Sequence, residues 1–67
     1  MIEYIILQFV KSVSRGWYEK VYTGKIERIA QSEFHRLVKE YPDEYFELIK
    51  IEHNETCLEF TQINKDN

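Results

Sequence analysis

One cysteine, one proline, one methionine, one alanine and two glycines are spread over 67 residues. A single cysteine excludes an internal disulfide framework, so ordinary apolar packing has to hold the fold, and a reducing cytoplasm is the expected location. So little glycine and proline excludes collagen-like and low-complexity classes, and the lone alanine excludes an Ala-rich helical rod. No apolar run reaches the length of a membrane span. The run over residues 4–10 is broken by Gln8, and Glu3 stands where a secretory leader carries lysine or arginine. Glycine-rich phosphate loops, nucleophile elbows and paired-histidine helices are all missing from the sequence. These absences predict a cytoplasmic protein that is not an enzyme, binds no cofactor or metal and has no membrane partner.

What is present is 43% apolar residues and 15% aromatics, enough for one small core and too hydrophobic for a disordered chain. The expected organisation is a single domain over residues 1–63 with a frayed polar tail at 64–67. The net charge of −3 is too mild and of the wrong sign for a general attraction to nucleic acid. It is also unevenly spread. Residues 1–30 carry Lys11, Arg15, Lys20, Lys25 and Arg28 against Glu3, Glu19 and Glu27, a net +2, whereas residues 31–67 carry a net −5.

Residues 2–13 are dense in β-branched and aromatic side chains of both parities, the pattern of a strand with two apolar faces. Ser14, Arg15 and Gly16 read as a three-residue hairpin loop with Gly16 in the left-handed conformation. That loop would set Val13 against Trp17, Lys11 against Glu19 and Phe9 against Val21. Residues 25–31 read either as the start of a helix near Lys25 or as a continuation of the second strand to Ile29. The preferred reading is the second, with Ser32 as N-cap of a short helix running to Tyr41, where Pro42 ends it. A second hairpin is expected from residues 45–53 and 56–63, turning at Asn54-Glu55 and pairing Ile49 with Phe60, Ile51 with Leu58 and Lys50 with Glu59. The predicted fold class is α+β: a small domain with an antiparallel four-stranded sheet, in the order ββ-α-ββ, and one helix packed on one face.

One short helix, contributing Phe34, Leu37, Val38 and Tyr41, covers only one face of such a sheet. With Phe9, Val21, Ile49 and Phe60 placed beneath it, the other face displays Tyr4, Ile6, Val10, Tyr18, Tyr22, Phe46 and Leu48. Such a patch marks a binding surface or a subunit seam. In composition, rich in Ile, Glu, Lys and Tyr, the chain is similar to small accessory proteins of AT-rich bacteria and their phages. No motif accompanies that likeness.

Four sets of residues are candidates for chemistry or binding. His35, His53 and Cys57 are metal-ligand types, but the expected register puts His53 and Cys57 on opposite faces, and they read as structural. Glu40, Asp43, Glu44 and Glu47 cluster near the helix end without the spacing of a cation loop and read as a solvated acidic rim. Arg15, Trp17, Lys20, Tyr22, Lys25 and Arg28 interleave cations with aromatics, as single-strand nucleic-acid binders do. The leading expectation is a regulator or inhibitor that occludes a protein partner and is itself a homodimer. Tyr4, Arg15, Trp17, Tyr18 and Tyr22 would form its hot spot, with Asp43, Glu44 and Glu47 steering the encounter. A single-stranded nucleic-acid binder and a purely structural homodimer subunit are the alternatives.

Overall fold

Nine residues rich in β-branched and aromatic side chains form β1 (Glu3–Lys11), and β2 (Gly16–Gly24) returns beside it. The chain continues through α1 (Glu27–Glu40), β3 (Tyr45–Ile51) and β4 (Glu55–Phe60). This is a computed structural model that describes residues 1–61; the expected strand end at Ile63 and the tail 64–67 lie outside the described residues. The four strands make one antiparallel sheet in the order β2-β1-β3-β4, with α1 across one face, an α+β domain. Strand β1 is central, between β2 and β3, which explains why its side chains are apolar on both parities.

The face under the helix is the reverse of the sequence expectation. Tyr4, Ile6, Phe46 and Leu48 are buried with Ala30 and Phe34 of α1, and Tyr22, Leu37, Val38 and Leu58 pack against them. Phe9, Ile49 and Phe60 instead belong to the uncovered face. Alternation along β1 and β3 puts Glu3, Ile5, Leu7, Phe9, Tyr45, Glu47, Ile49 and Ile51 together on that side. Electrostatics selects between two faces of similar greasiness. A helix laid over the odd-numbered face would bury Glu47 at the centre of the sheet without a counter-charge, a cost that the face of Tyr4, Ile6, Phe46 and Leu48 avoids.

Both hairpins also differ in register. In the first, residues 12–15 form a four-residue loop, closed by Ser12 donating through N and Oγ to the Arg15 carbonyl at 2.7 and 3.1 Å. Trp17 therefore faces Val10, Tyr18 faces Phe9, Glu19 faces Gln8 and Lys20 faces Leu7, while Val13 sits fully exposed in the loop. Val21 occupies a bulge, after which Tyr22 faces Ile6. Gly16 is not left-handed, as no described residue has positive φ. It is glycine because the Phe9 ring lies where a Cβ would be. Gly24 likewise admits the Tyr22 ring, whose hydroxyl stands 2.5 Å from the place of a Cβ.

In the second hairpin the turn spans residues 52–54, so Ile51 faces Glu55, Lys50 faces Thr56 and Ile49 faces Cys57. A second bulge then sets Leu48 against Glu59 and Glu47 against Phe60. The expected Asn54-Glu55 turn fails because Glu55 is already the first residue of β4.

The helix is the longer of the two alternatives. It starts at Glu27 from Ile26, an extended N-cap residue that makes no side-chain hydrogen bond, and Ser32 lies inside it. Starting at Ser32 would give up the burial of Ala30, the small residue where helix meets sheet, and the i, i+4 run through Ala30, Phe34 and Val38. That loss exceeds the roughly 1 kcal/mol of a serine cap. Glu27 suits the first turn and accepts a hydrogen bond from the Tyr4 hydroxyl at 3.2 Å. At the other end Tyr41 N donates to the Leu37 carbonyl at 2.8 Å and Pro42 follows.

Candidate functional site

The hairpin register decides which aromatics are free. Trp17 and Tyr18 are neighbours on the edge strand β2 and therefore point to opposite sides of the sheet. Trp17 pairs with Val10 on the helix side, and Tyr18 pairs with Phe9 on the open side, their rings 5.2 Å apart and inclined at 60°. Tyr4 is buried, and Tyr22 is half-buried against the core, so neither is available to a partner as expected from sequence. Tyr4 carries an ordinary structural load. Desolvation, with the adjacent Glu27 carboxylate, holds its hydroxyl above the usual tyrosine range.

On the helix side a shallow groove of about 220 Å³ runs between α1 and β2, lined by Gln8, Val21, Leu37, Tyr41 and Phe46. Val21 (40% exposed) and Tyr41 (49%) supply its exposed apolar surface, and Trp17 (42%) stands further along β2 on the same side of the sheet. Two hydrogen bonds fix the polar groups on this side: Trp17 Nε1 donates to Glu19 Oε2 at 3.1 Å, and Gln8 Nε2 donates to Glu44 Oε1 at 3.0 Å. A volume below the ~300 Å³ of small-molecule sites fits one inserted side chain rather than a substrate. Arg15 is exposed in the adjoining loop. Val21, Leu37 and Gln8 were missed because only the bulge at Val21 turns that residue and Tyr22 to the same side.

A second concavity, of about 400 Å³, lies at the end of β1 and is lined by Phe9, Lys11, Asp43, Glu44 and Tyr45. It contains two of the three carboxylates assigned to steering. The third, Glu47, stands apart on the open face, where it accepts from the Tyr45 hydroxyl at 2.9 Å. Burial and this carboxylate push the Tyr45 hydroxyl up to about 12. The set of cations and aromatics is likewise divided. Lys20 pairs with Leu7 on the open side, Trp17 is on the helix side, Tyr22 is packed in the core, and Lys25 and Arg28 are exposed before and within the first turn of α1.

The nucleophile and ligand types do not meet. Cys57 faces Ile49 on the open side, whereas His35 contacts Glu59 at 3.0 Å on the helix side, and His53 is exposed in the turn. Desolvation, with the charge of Glu47, raises the Cys57 thiol above its usual pKa and lowers its thiolate fraction. Among the described residues no group of His, Cys, Asp and Glu side chains is placed to hold a metal ion, and no helix is long and apolar enough to cross a membrane. The chain matches no protein-family model, no curated protein and no solved structure.

Proposed function

We propose that this domain is a non-enzymatic binding protein that regulates a protein partner by covering part of its surface, using the groove between α1 and β2. The observation that supports this reading is a groove the size of one side chain, with Val21 and Tyr41 partly exposed in its lining and Trp17 exposed on the same side of β2. Large aromatics bordering a desolvated pocket are where interface energy concentrates. Arg15, exposed in the loop before β2, adds a third residue of the type that dominates hot spots. Glu19 and Glu44, held by Trp17 and Gln8, give the rim a negative character that favours a partner with a basic rim. Tyr4 and Tyr22 no longer belong to this surface, and Tyr18 and Glu47 belong to the opposite one.

The test is affinity capture from nuclease-treated cytosol with the wild-type domain, Trp17→Ala and Tyr18→Ala side by side. The expected result is a protein retained by wild type and Tyr18→Ala and lost with Trp17→Ala, a weakening of roughly 2 kcal/mol or about 30-fold. Retention of the same protein by Trp17→Ala at unchanged affinity contradicts the assignment. A catch that disappears with nuclease favours a nucleic-acid ligand instead.

A further inference from the structure

We infer that the open face of the sheet is the seam of a homodimer in which the β1–β2 half of one copy lies on the β3–β4 half of the other. This face is on the far side of the sheet from the groove and does not depend on the function proposed for it. Tyr18, Phe9 and Tyr45 share one row of the open face, and Leu7 and Phe60 belong to the next on either side of Glu47, while Ile5 and Ile49 in the row beyond are already buried in the single chain at 6% exposure. Tyr18 and Phe60 are each about half exposed. Four strands about 4.8 Å apart and about seven residues long at ~3.3 Å each give a footprint of about 440 Å² per copy. Side-chain relief brings the area buried by two copies to roughly 1,000–1,200 Å², the lower edge of specific interfaces and the range of weak, reversible dimers.

The charges on this face select a second copy as the occupant. Lys11 and Lys20 stand on the β1–β2 half and Glu47 and Glu55 on the β3–β4 half. Glu3, the carboxylate on the basic half, is held within its own chain by the Thr23 hydroxyl at 2.5 Å. A two-fold axis running along the strands reverses the strand order of the second copy. Lys20 then lies over Phe60 of the partner subunit and one strand from the partner's Glu47, with the reciprocal pair at the other side of the axis, so each of the two Glu47 carboxylates that flank the axis has a lysine on its outer side. A two-fold across the strands through that row would set Lys20 on Lys20 and Glu47 on Glu47, with no opposite charge beside either, which like-charge repulsion disfavours. The same carboxylates weigh against a nucleic-acid backbone on this face.

Sedimentation equilibrium on the full chain tests the seam, with Lys20→Glu, Glu47→Lys and the double variant measured beside wild type and Trp17→Ala. Wild type and Trp17→Ala are expected to move from the 8.2-kDa chain mass to twice that value as concentration rises through the micromolar range. Each single reversal is expected to weaken the dimer about 10-fold or more, and the double variant to recover within about threefold of wild type. All variants are checked for native circular dichroism, and the recovery in the double variant excludes a mere folding defect. A single-chain mass up to several hundred micromolar overturns the inference. So does a dimer indifferent to the single reversals, or a single-stranded oligonucleotide that binds the face and is lost with Tyr18→Ala. Loss of the dimer with partner capture intact would leave the groove reading standing, and the reverse holds equally.

Discussion

Leu48→Ala discriminates between the two sheet faces most sharply. Leu48 is fully buried under α1, in one cluster with Ile6, Phe34 and Phe46. Truncation removes three carbons, about 2.4 kcal/mol of transfer energy at ~0.8 kcal/mol each. The cavity left in a core that relaxes only partly brings the total to about 3–4 kcal/mol. A domain of this length has only about 3–10 kcal/mol of stability in all. The variant therefore stands near its unfolding threshold. With a urea m-value of about 1 kcal/mol/M, its midpoint falls by about 3 M or the native baseline disappears. The matched control is Leu7→Ala, the same chemistry on the open face, where Leu7 is only half-buried in the single chain. In dilute protein it costs about 1 kcal/mol. Urea titration followed by circular dichroism and Trp17 fluorescence reads both. Equal losses, or a larger loss for Leu7→Ala at low concentration, would refute the placement of the helix on the face of Tyr4, Ile6, Phe46 and Leu48.

The helix cap and the titration of Tyr45 and Glu33 give three more expected outcomes. Ile26, half exposed at the N-cap, offers no acceptor to the first turn, so Ile26→Asp is expected to stabilise the domain by about 1 kcal/mol. That gain raises the melting temperature by roughly 4–8 °C; an unchanged or lower value would count against a helix starting at Glu27. The Tyr45 hydroxyl, at about 12 in the fold against an ordinary value of 10.0, keeps its proton where the unfolded chain has lost it. Its contribution is complete below pH 10 and is lost as pH rises towards 12, so phenolate absorbance should show Tyr45 titrating late, and Tyr45→Phe should flatten the alkaline loss of stability. At the acid side Arg36 holds the Glu33 carboxylate below its usual range, so that pair stabilises above the unfolded carboxylate pKa and is lost on further acidification. Its effect is small because both side chains are substantially exposed.

Much of the architecture is legible in the residues, and the points of failure have physical causes. Four strands, one helix and the stop at Pro42 follow from periodicity and punctuation, because most β-branched and aromatic runs and the stripe of Phe34, Leu37 and Val38 admit one reading; residues 25–31, which admit two, do not. The choice of covered face does not follow from β1, where Tyr4 and Ile6 compete with Ile5, Leu7 and Phe9 on nearly equal terms. The discriminating residue was Glu47, in the middle of β3, whose burial under the helix had no counter-charge to offset it. Register was lost for a different reason. Gly16 signals close approach of the Phe9 ring rather than a left-handed turn, and a glycine in a loop sequence does not tell the two apart. The bulges at Val21 and Leu58 are set by packing on the helix side and have no local marker. Of the candidate site, Arg15, Trp17 and Tyr18 were legible as exposed hairpin residues. Their division between two faces, and the participation of Val21 and Tyr41, depended on the register.

One face of the sheet is core, and the other is the inferred seam with a second copy. Attenuation of NMR signals by a soluble paramagnetic agent, recorded at low and at high protein concentration, measures both at once. Signals of Ile6, Phe46 and Leu48 are expected to stay protected throughout, while Leu7, Tyr18 and Phe60 are attenuated in dilute protein and gain protection as concentration rises. Attenuation of Ile6 and Leu48 in dilute protein would contradict the fold's assignment of faces. Leu7, Tyr18 and Phe60 remaining attenuated at every concentration would contradict the seam.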